Sequence, residues 1–409
     1  MATFVARYYI IYVGPIISGR GINMPRKVRK SKLNAGDKMK KIGKLIVGSG
    51  EGSADMRYAT RLSTPDAFIW GANDRTAMAV LSSLEFDRAS EQARPGLELL
   101  REDELDGSGC VEKIVKLAEL MGVSGFAVPA EFPLFLADEL RAAGLTLEPT
   151  EEGEFFPERE FKSEDEVALV VKSLRAAEAG VDRAARVLAD SSVAADGTLV
   201  YDGATLTSER LRAEIDTELL RHGTLPTGTI CAGGPQGACP HNAGEGPLYA
   251  NAPIVMDVFP RSTASGYWGD LTRTMLKGKA PQVVASAYRA VREARDHAKN
   301  LIRPGANPEE IHKAAASILE KHGFFTGRND AGDFGFFHGL GHGVGLEIHE
   351  APRLSPRNST PLAGGEIVTV EPGLYYPEWG GIRLEDMVFV EPGAGCRCLT
   401  KCADFLEIP

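Results

Sequence analysis

Four carboxylates interrupt runs that otherwise read as β-strands: Asp257 in IVMDVF, Asp270 in GDLTRT, Glu371 in IVTVEPG and Glu385 in GIRLEDMVF. A charge moved from water into a strand is expensive unless it is paired, hydrogen-bonded or bound to a metal ion. A single acid of this kind is explained by a salt bridge or a capped turn. Four of them force the chain to bring these runs together around a polar centre.

Between Asp270 and Glu371 lies FFHGLGHGVGLEIHE, Phe336–Glu350, with three of the eight histidines: His338, His342 and His349. Gly339, Gly341, Gly343 and Gly345 disfavour a helix there, because each glycine forfeits backbone entropy and packing. An extended strand or a tight loop with close backbone approach is expected. Histidine is the commonest metal ligand and titrates near neutral pH. Carboxylates with one imidazole suit two divalent ions, and this donor set fits Mn²⁺, Zn²⁺, Co²⁺ or Fe²⁺ without choosing among them. Two such ions, bridged by carboxylates, can hold one hydroxide for attack on a carbonyl. The residues alone therefore point to a dinuclear metallohydrolase.

The net charge of −10 hides an asymmetry. Residues 1–44 carry eleven Lys/Arg against one acid, so they are +10 and the remaining chain is −20. An acidic body argues against nucleic acid as the partner. The apolar run Tyr8–Ile17 is too short for a bilayer span, so no membrane association is expected. Residues 1–44 read as a basic, disordered extension; a transit peptide, or an upstream extension ahead of Met24, are the other readings. The six cysteines are thinly spread. Cys396, Cys398 and Cys402 form CxCxxxC, but the second pair that zinc sites need is missing. Free thiols in a reducing, cytoplasmic setting are expected instead.

From Lys44 the chain becomes domain-like. KLIVGS (Lys44–Ser49), AFIWGA (Ala67–Ala72) and GFAVPA (Gly125–Ala130) read as strands. GLELLREDEL (Gly96–Leu105), CVEKIVKLAELMG (Cys110–Gly122) and FPLFLADELRAAG (Phe132–Gly144) alternate with them as helices. This implies an α/β domain over residues 45–160. Ser163 and Glu166 then form a capping-box signature for a long helix over Ser163–Asp190, and a second helix covers Ser208–Gly223. Beyond residue 225 come strands and turns, two amphipathic helices (Ser286–Gly305 and Pro308–Gly323), and a strand-rich end. Residues 161–409 therefore read as a larger α+β domain. No flexible linker separates the two.

In this order, MDVF…GDLTRT, HGLGHGVGLEIHE, VTVEPGLY and GIRLED resemble the pita-bread metallopeptidases, which include Xaa-Pro aminopeptidase, prolidase and methionine aminopeptidase. The motifs cover roughly residues 225–409. Upstream, SADMRYATRLSTPDAFIW (Ser53–Trp70) resembles the creatinase-type N-terminal domain of the proline-specific branch. The expected architecture is thus an α+β pita-bread catalytic domain preceded by a smaller α/β domain.

The resemblance implies Asp257, Asp270, His342, Glu371 and Glu385 as ligands of two divalent ions, with manganese favoured. Glu371 would also be the general base. His349 would contact the scissile carbonyl, His241 would assist proton transfer, and His338 would line the substrate pocket. Arg383 is expected to neutralise the acids and to border the substrate. Thr272 would orient Asp270 or serve as an ordinary strand residue. Glu347 and Glu350 are placed outside the ligand set, and His222, His297, His312 and His322 on solvated helix faces.

The implied activity is a metal-dependent exopeptidase acting on X-Pro bonds through a bridging hydroxide, aminopeptidase ahead of dipeptidase. Its substrate is a peptide with proline at the second position, and the enzyme a homodimer. Methionine aminopeptidase usually lacks the additional domain, and creatinase does not keep the five ligands. A catalytically silent peptide- or protein-binding module is the alternative. Asp257 and Asp270 are thirteen apart, about two more than is usual in the family. A two-residue insertion keeps both on one strand face, and a longer hairpin turn around Arg261–Gly266 would absorb it.

Overall fold

The long helix expected after residue 163 organises the larger half of the molecule. In the computed structural model, which describes residues 41–105, 107–151, 155–330 and 332–409, it runs Glu164–Asp190. Its start is a complete capping box: the Ser163 hydroxyl accepts the Glu166 N–H, and the Glu166 carboxylate accepts the Ser163 N–H. The other Glu166 oxygen accepts the Tyr267 hydroxyl at 2.7 Å. Val170, Leu174, Val181, Ala184 and Leu188 form the buried stripe. They join one core with helix Ser208–Arg221 and with Met256, Val258, Leu271 and Met275. The helix thus backs the strands Ile254–Val258 and Leu271–Lys277. The approach is close enough that a Cβ on Gly269 would lie 2.3 Å from Leu174 N.

Those strands belong to a four-stranded sheet, ordered Ile230–Gly233, Ile254–Val258, Leu271–Lys277, Glu407–Ile408. Asp257 pairs with Thr272 in an antiparallel register. A five-stranded sheet is ordered Glu350–Leu354, Gly341–Gly343, Ile367–Val370, Asp386–Val390, Cys396–Cys398. Helices Gln282–Leu301 and Pro308–Lys321 form a second core with its Val368, Val370, Val388 and Val390. The hairpin Gly373–Tyr376 with Gly380–Arg383 completes the larger half.

Upstream, a six-stranded mixed sheet has the order Leu97–Arg101, Ala77–Leu81, Ala67–Ala72, Ile42–Ser49, Gly125–Val128, Thr146–Pro149. Helices Cys110–Met121 and Leu134–Ala142 lie beside it in the chain. Residues 41–409 cluster as one compact unit. No helix among the described residues is long and apolar enough to cross a membrane. All six cysteines are free thiols.

Several local expectations shift. The first strand starts at Ile42, inside the segment read as an extension; residues 1–40 of that extension lie outside the described residues. Leu97–Arg101 is a strand parallel to Ala77–Leu81, where a helix was expected. Its run is short and starts after Gly96 in a left-handed conformation (φ 86°), leaving too little length for a helix. Thr207, one residue before the expected serine, caps the second long helix through the Arg210 N–H. His312 is buried against Phe336, ring centroids 5.0 Å apart, and not solvated. In the turn after Asp257, Gly266 N donates to Ser262 O and Ser262 N to Tyr267 O, each 3.0 Å.

One ionic cluster joins distant segments. Arg159, in the 3₁₀ turn Pro157–Glu160, contacts Asp55 at 2.6 Å, Glu347 at 2.8 Å and Glu350 at 2.5 Å. Lys162 contacts the other Glu350 oxygen at 3.0 Å. Burial pushes the Glu350 carboxyl up, but Lys162 and Arg159 overcome it and hold it below its ordinary 4.5. A depressed carboxylate contributes stability above its unfolded pKa and loses it as pH falls through the folded value. Glu350→Gln should therefore lose less stability than the parent protein between about pH 5 and pH 3, read from denaturation midpoints at each pH.

Candidate metal centre

The expected residues are set at the ends of paired strands. Asp257 lies within Ile254–Val258, Asp270 just before Leu271–Lys277, and His342 in Gly341–Gly343. Glu371 follows Ile367–Val370, and Glu385 precedes Asp386–Val390. Val370 pairs with Asp386, which brings the last two acids to one end of their sheet. Asp270 (4% exposed), His342 (5%) and Glu385 (1%) are buried. Each offers one ligand atom, and these atoms lie within 4.8 Å of one another. Asp257 and Glu371 stand beside this group, both half-buried. Glu371 Oε1 is 3.3 Å and Asp270 Oδ2 3.6 Å from His342 Nε2.

The protonation pattern follows from the partners. His342 Nδ1 is 3.1 Å from Gly343 O, an oxygen that can only accept, so Nδ1 carries the proton. Nε2 then turns its lone pair towards two carboxylates. Glu385 Oε1 and Asp257 Oδ1 are buried with no hydrogen-bond partner among the described residues. The cluster is thus almost purely acceptor. Burial, with the neighbouring acids Glu385 and Asp257, pushes the Asp270 carboxyl well up. Burial likewise raises Glu385 and takes Glu371 to about 7. Burial, with His349 adding to it, lowers His342 to about 3. Orphaned acceptors around a neutral imidazole are a donor set that a divalent cation satisfies, and its charge would reverse the upward shifts of the carboxyls while keeping His342 neutral.

Hydrogen bonds hold the acids in place. Thr272 donates to Glu385 Oε2 at 2.8 Å and accepts Arg383 Nε at 3.1 Å. Its hydroxyl therefore serves Glu385, where the sequence suggested Asp270. Thr369 Oγ1 contacts Glu371 at 3.3 Å and accepts the His342 N–H at 3.1 Å. Arg383, 2% exposed, pairs with Asp257 Oδ2 at 2.6 Å and donates to Tyr375 Oη at 2.9 Å and Pro240 O at 3.3 Å. It lies in the wall of the acidic cluster, where its contact with Asp257 neutralises one of the acids.

The three histidines of the glycine-rich stretch part company. His338 Nδ1 donates to Gly339 O at 2.7 Å, and Nε2 meets Tyr375 Oη at 3.0 Å. Burial first, then Arg383, takes it down to about 3. His349 is exposed, with its ring edge-on to His342 at 4.4 Å between centroids. His241 is also exposed, next to the Pro240 carbonyl held by Arg383. Sequence reasoning missed Tyr375, which joins Arg383 to His338 and reads as an ordinary strand aromatic. It also left Glu350 without a role, although its partners are cations far away in the chain.

The glycines act through close approach. A Cβ on Gly341 would lie 1.9 Å from Thr369 O, and one on Gly343 2.1 Å from Ala351 O. Gly341→Ala must therefore push apart the strands that hold His342 and Glu371. It should cost about 2 kcal/mol, measured from the shift in denaturant midpoint at unchanged m-value.

Comparison with known proteins places these observations in a family. Residues 168–392, more than half of the chain, match the model of metallopeptidase family M24. An Xaa-Pro dipeptidase of Pyrococcus horikoshii is 28% identical over 299 residues, 71% of this chain and 78% of that protein. The Xaa-Pro dipeptidase of Pyrococcus furiosus is 37% identical over 174 residues, 42% of this chain. That match spans about half of the relative's length (47%). The crystal structure of an X-Pro aminopeptidase from Thermotoga maritima superposes with a TM-score of 0.76. It shares 22% identity and covers 90% of this chain and 97% of that one. At that identity the likeness concerns the fold.

Proposed function

This chain belongs to metallopeptidase family M24, and from that premise we propose that it is a metal-dependent exopeptidase that hydrolyses the bond before proline. The observation that carries the reading is the largely buried, almost purely acceptor cluster around His342. Asp257, Asp270, His342, Glu371 and Glu385 would hold two divalent ions, manganese in our reading, with zinc, cobalt or iron also fitting these donors. Those ions would supply charge that polarises the scissile carbonyl and favours ionisation of a water at neutral pH.

The remaining steps fall to the chain's own groups. Glu371, held by Thr369, is the base that takes a proton from the attacking water. As the water oxygen bonds to the carbonyl carbon, charge gathers on the carbonyl oxygen, and His349 donates a hydrogen bond to it. The C–N bond then breaks, and the proline nitrogen leaves with a proton relayed by His241. His338, fixed by Tyr375 and Gly339, forms part of the pocket for the substrate. Arg383 holds Asp257 in position. Relatives are named for both dipeptidase and aminopeptidase activities, so the proposal covers the bond and not the peptide's length. A homodimer, on family resemblance alone, and a cytoplasmic setting, on the six free thiols, complete it. The silent binding module has nothing in its favour, since every expected ligand side chain is present.

The test is Mn²⁺-loaded protein on an X-Pro dipeptide and on a longer X-Pro-X peptide. Hydrolysis is expected, with the preferred length separating dipeptidase from aminopeptidase. Asp257→Asn and His342→Ala should each lose roughly a hundredfold or more in kcat/KM and bind less metal by elemental analysis. Full activity in either variant would sink the assignment.

A further inference from the structure

His349 sits on the rim of the centre, yet its ring makes no hydrogen bond among the described residues. Among the described residues its one ring contact is the edge-on meeting with His342. An exposed side chain with no partner takes its direction from the backbone that carries it. That backbone is fixed by its neighbour. Glu350 pairs with Gly343, one residue from His342, and its carboxylate accepts the Glu347 N–H at 3.0 Å, closing the loop. A Cβ on Gly345 would lie 2.4 Å from Glu350 Oε2, so the carboxylate fills the space that this glycine leaves. At the other end of the loop, Trp268 donates to Gly345 O at 2.9 Å and to Leu346 O at 3.0 Å.

Two cations grip the Glu350 carboxylate from outside the loop. Lys162, its side chain 1% exposed, takes one oxygen. Arg159 takes the other, and extends to Glu347 and to Asp55 on helix Ala54–Thr60. One guanidinium therefore touches the N-terminal α/β half and both ends of the turn that presents His349.

We propose that Arg159, with Lys162, is a positioning clamp that sets the aim of His349 through Glu350, and that Asp55 couples this aim to the docking of the N-terminal half. The inference rests on the peptidase reading above for what His349 does. A clamp that aligns a group needed at the transition state should act on kcat more than on KM.

The experiment is a double-mutant cycle on the metal-loaded full-length protein with an X-Pro dipeptide. Arg159→Met should lower kcat roughly tenfold, with KM within about twofold and metal content unchanged, and Arg159→Lys should restore part of the loss. In a His349→Ala background, Arg159→Met should change kcat by less than about twofold. Equal losses in both backgrounds would show a general structural role and overturn the clamp. If Arg159→Met does not fold, Asp55→Asn goes through the same cycle, with a smaller loss that also vanishes without His349. Hydrogen exchange provides a readout independent of catalysis: amides of residues 345–350 should exchange faster in Arg159→Met and Asp55→Asn. Unchanged exchange there would overturn the clamp. A parent protein that cleaves no X-Pro substrate while residues 345–350 respond as described would overturn the peptidase reading and leave the clamp standing.

Discussion

The structure depends on holding together groups that repel. Asp270, Glu385 and the lone pair of His342 face one another within 4.8 Å, and Asp257 and Glu371 stand against them. Two like charges about 4 Å apart repel by roughly 4 kcal/mol at the effective dielectric of a protein. While its carboxyls are ionised, nothing inside such a cluster attracts its members to one another. Its geometry must come from the surrounding backbone, and its stability from cations. This explains why each acid sits at or beside a strand end with paired neighbours, and why glycines abut the site. Gly341 and Gly343 let strands approach where a Cβ would collide, and Gly269 lets the long helix close on the residue before Asp270.

Arg383 is the protein's own contribution of positive charge to this centre. It pairs with Asp257 and, through the Thr272 hydroxyl, faces Glu385 as well. Its burial is tolerable because its neighbours satisfy it: Tyr375 and the Pro240 carbonyl accept from NH1. Tyr375 in turn passes its hydroxyl proton towards His338, so acid cluster and pocket histidine share one hydrogen-bonded chain. Such chains polarise one another and resist piecemeal replacement. A lysine at residue 383 would keep the charge but lose the fork that reaches Asp257, Thr272 and Tyr375 together.

How much of this was legible follows from how local each signal is. An acid inside an apolar period-2 run is visible within six residues of text, so Asp257, Asp270, Glu371 and Glu385 stood out. A glycine at alternate positions signals close approach before the partner is known. Helices with caps were readable for the same reason, although Thr207 took the place expected for Ser208. What a face meets was not legible. Helix periodicity shows His312 on one side of its helix and says nothing of Phe336 opposite. Tyr375 resembles any strand aromatic until the hairpin brings it to Arg383. Arg159 and Glu350 are 191 residues apart, and neither carries a local signal that the other exists.

The N-terminal half is tied to the centre by more than one strand of contact. Helix Ala54–Thr60 presents two residues, Asp55 and Arg57, to two different loops. Asp55 reaches Arg159 and through it the His349 turn. Arg57, 4% exposed, donates to Ala264 O in the turn between Asp257 and Asp270. Residues two apart on a helix point in different directions, so one short helix can brace both loops at once. That turn is therefore not idle length: its Ala264 carbonyl receives a buried guanidinium. Any movement of the N-terminal half relative to the strands must then be felt at both the aspartate hairpin and the histidine loop. A shift of one alone would break an ion pair or strand a buried charge, so the two sides of the centre are constrained to move together.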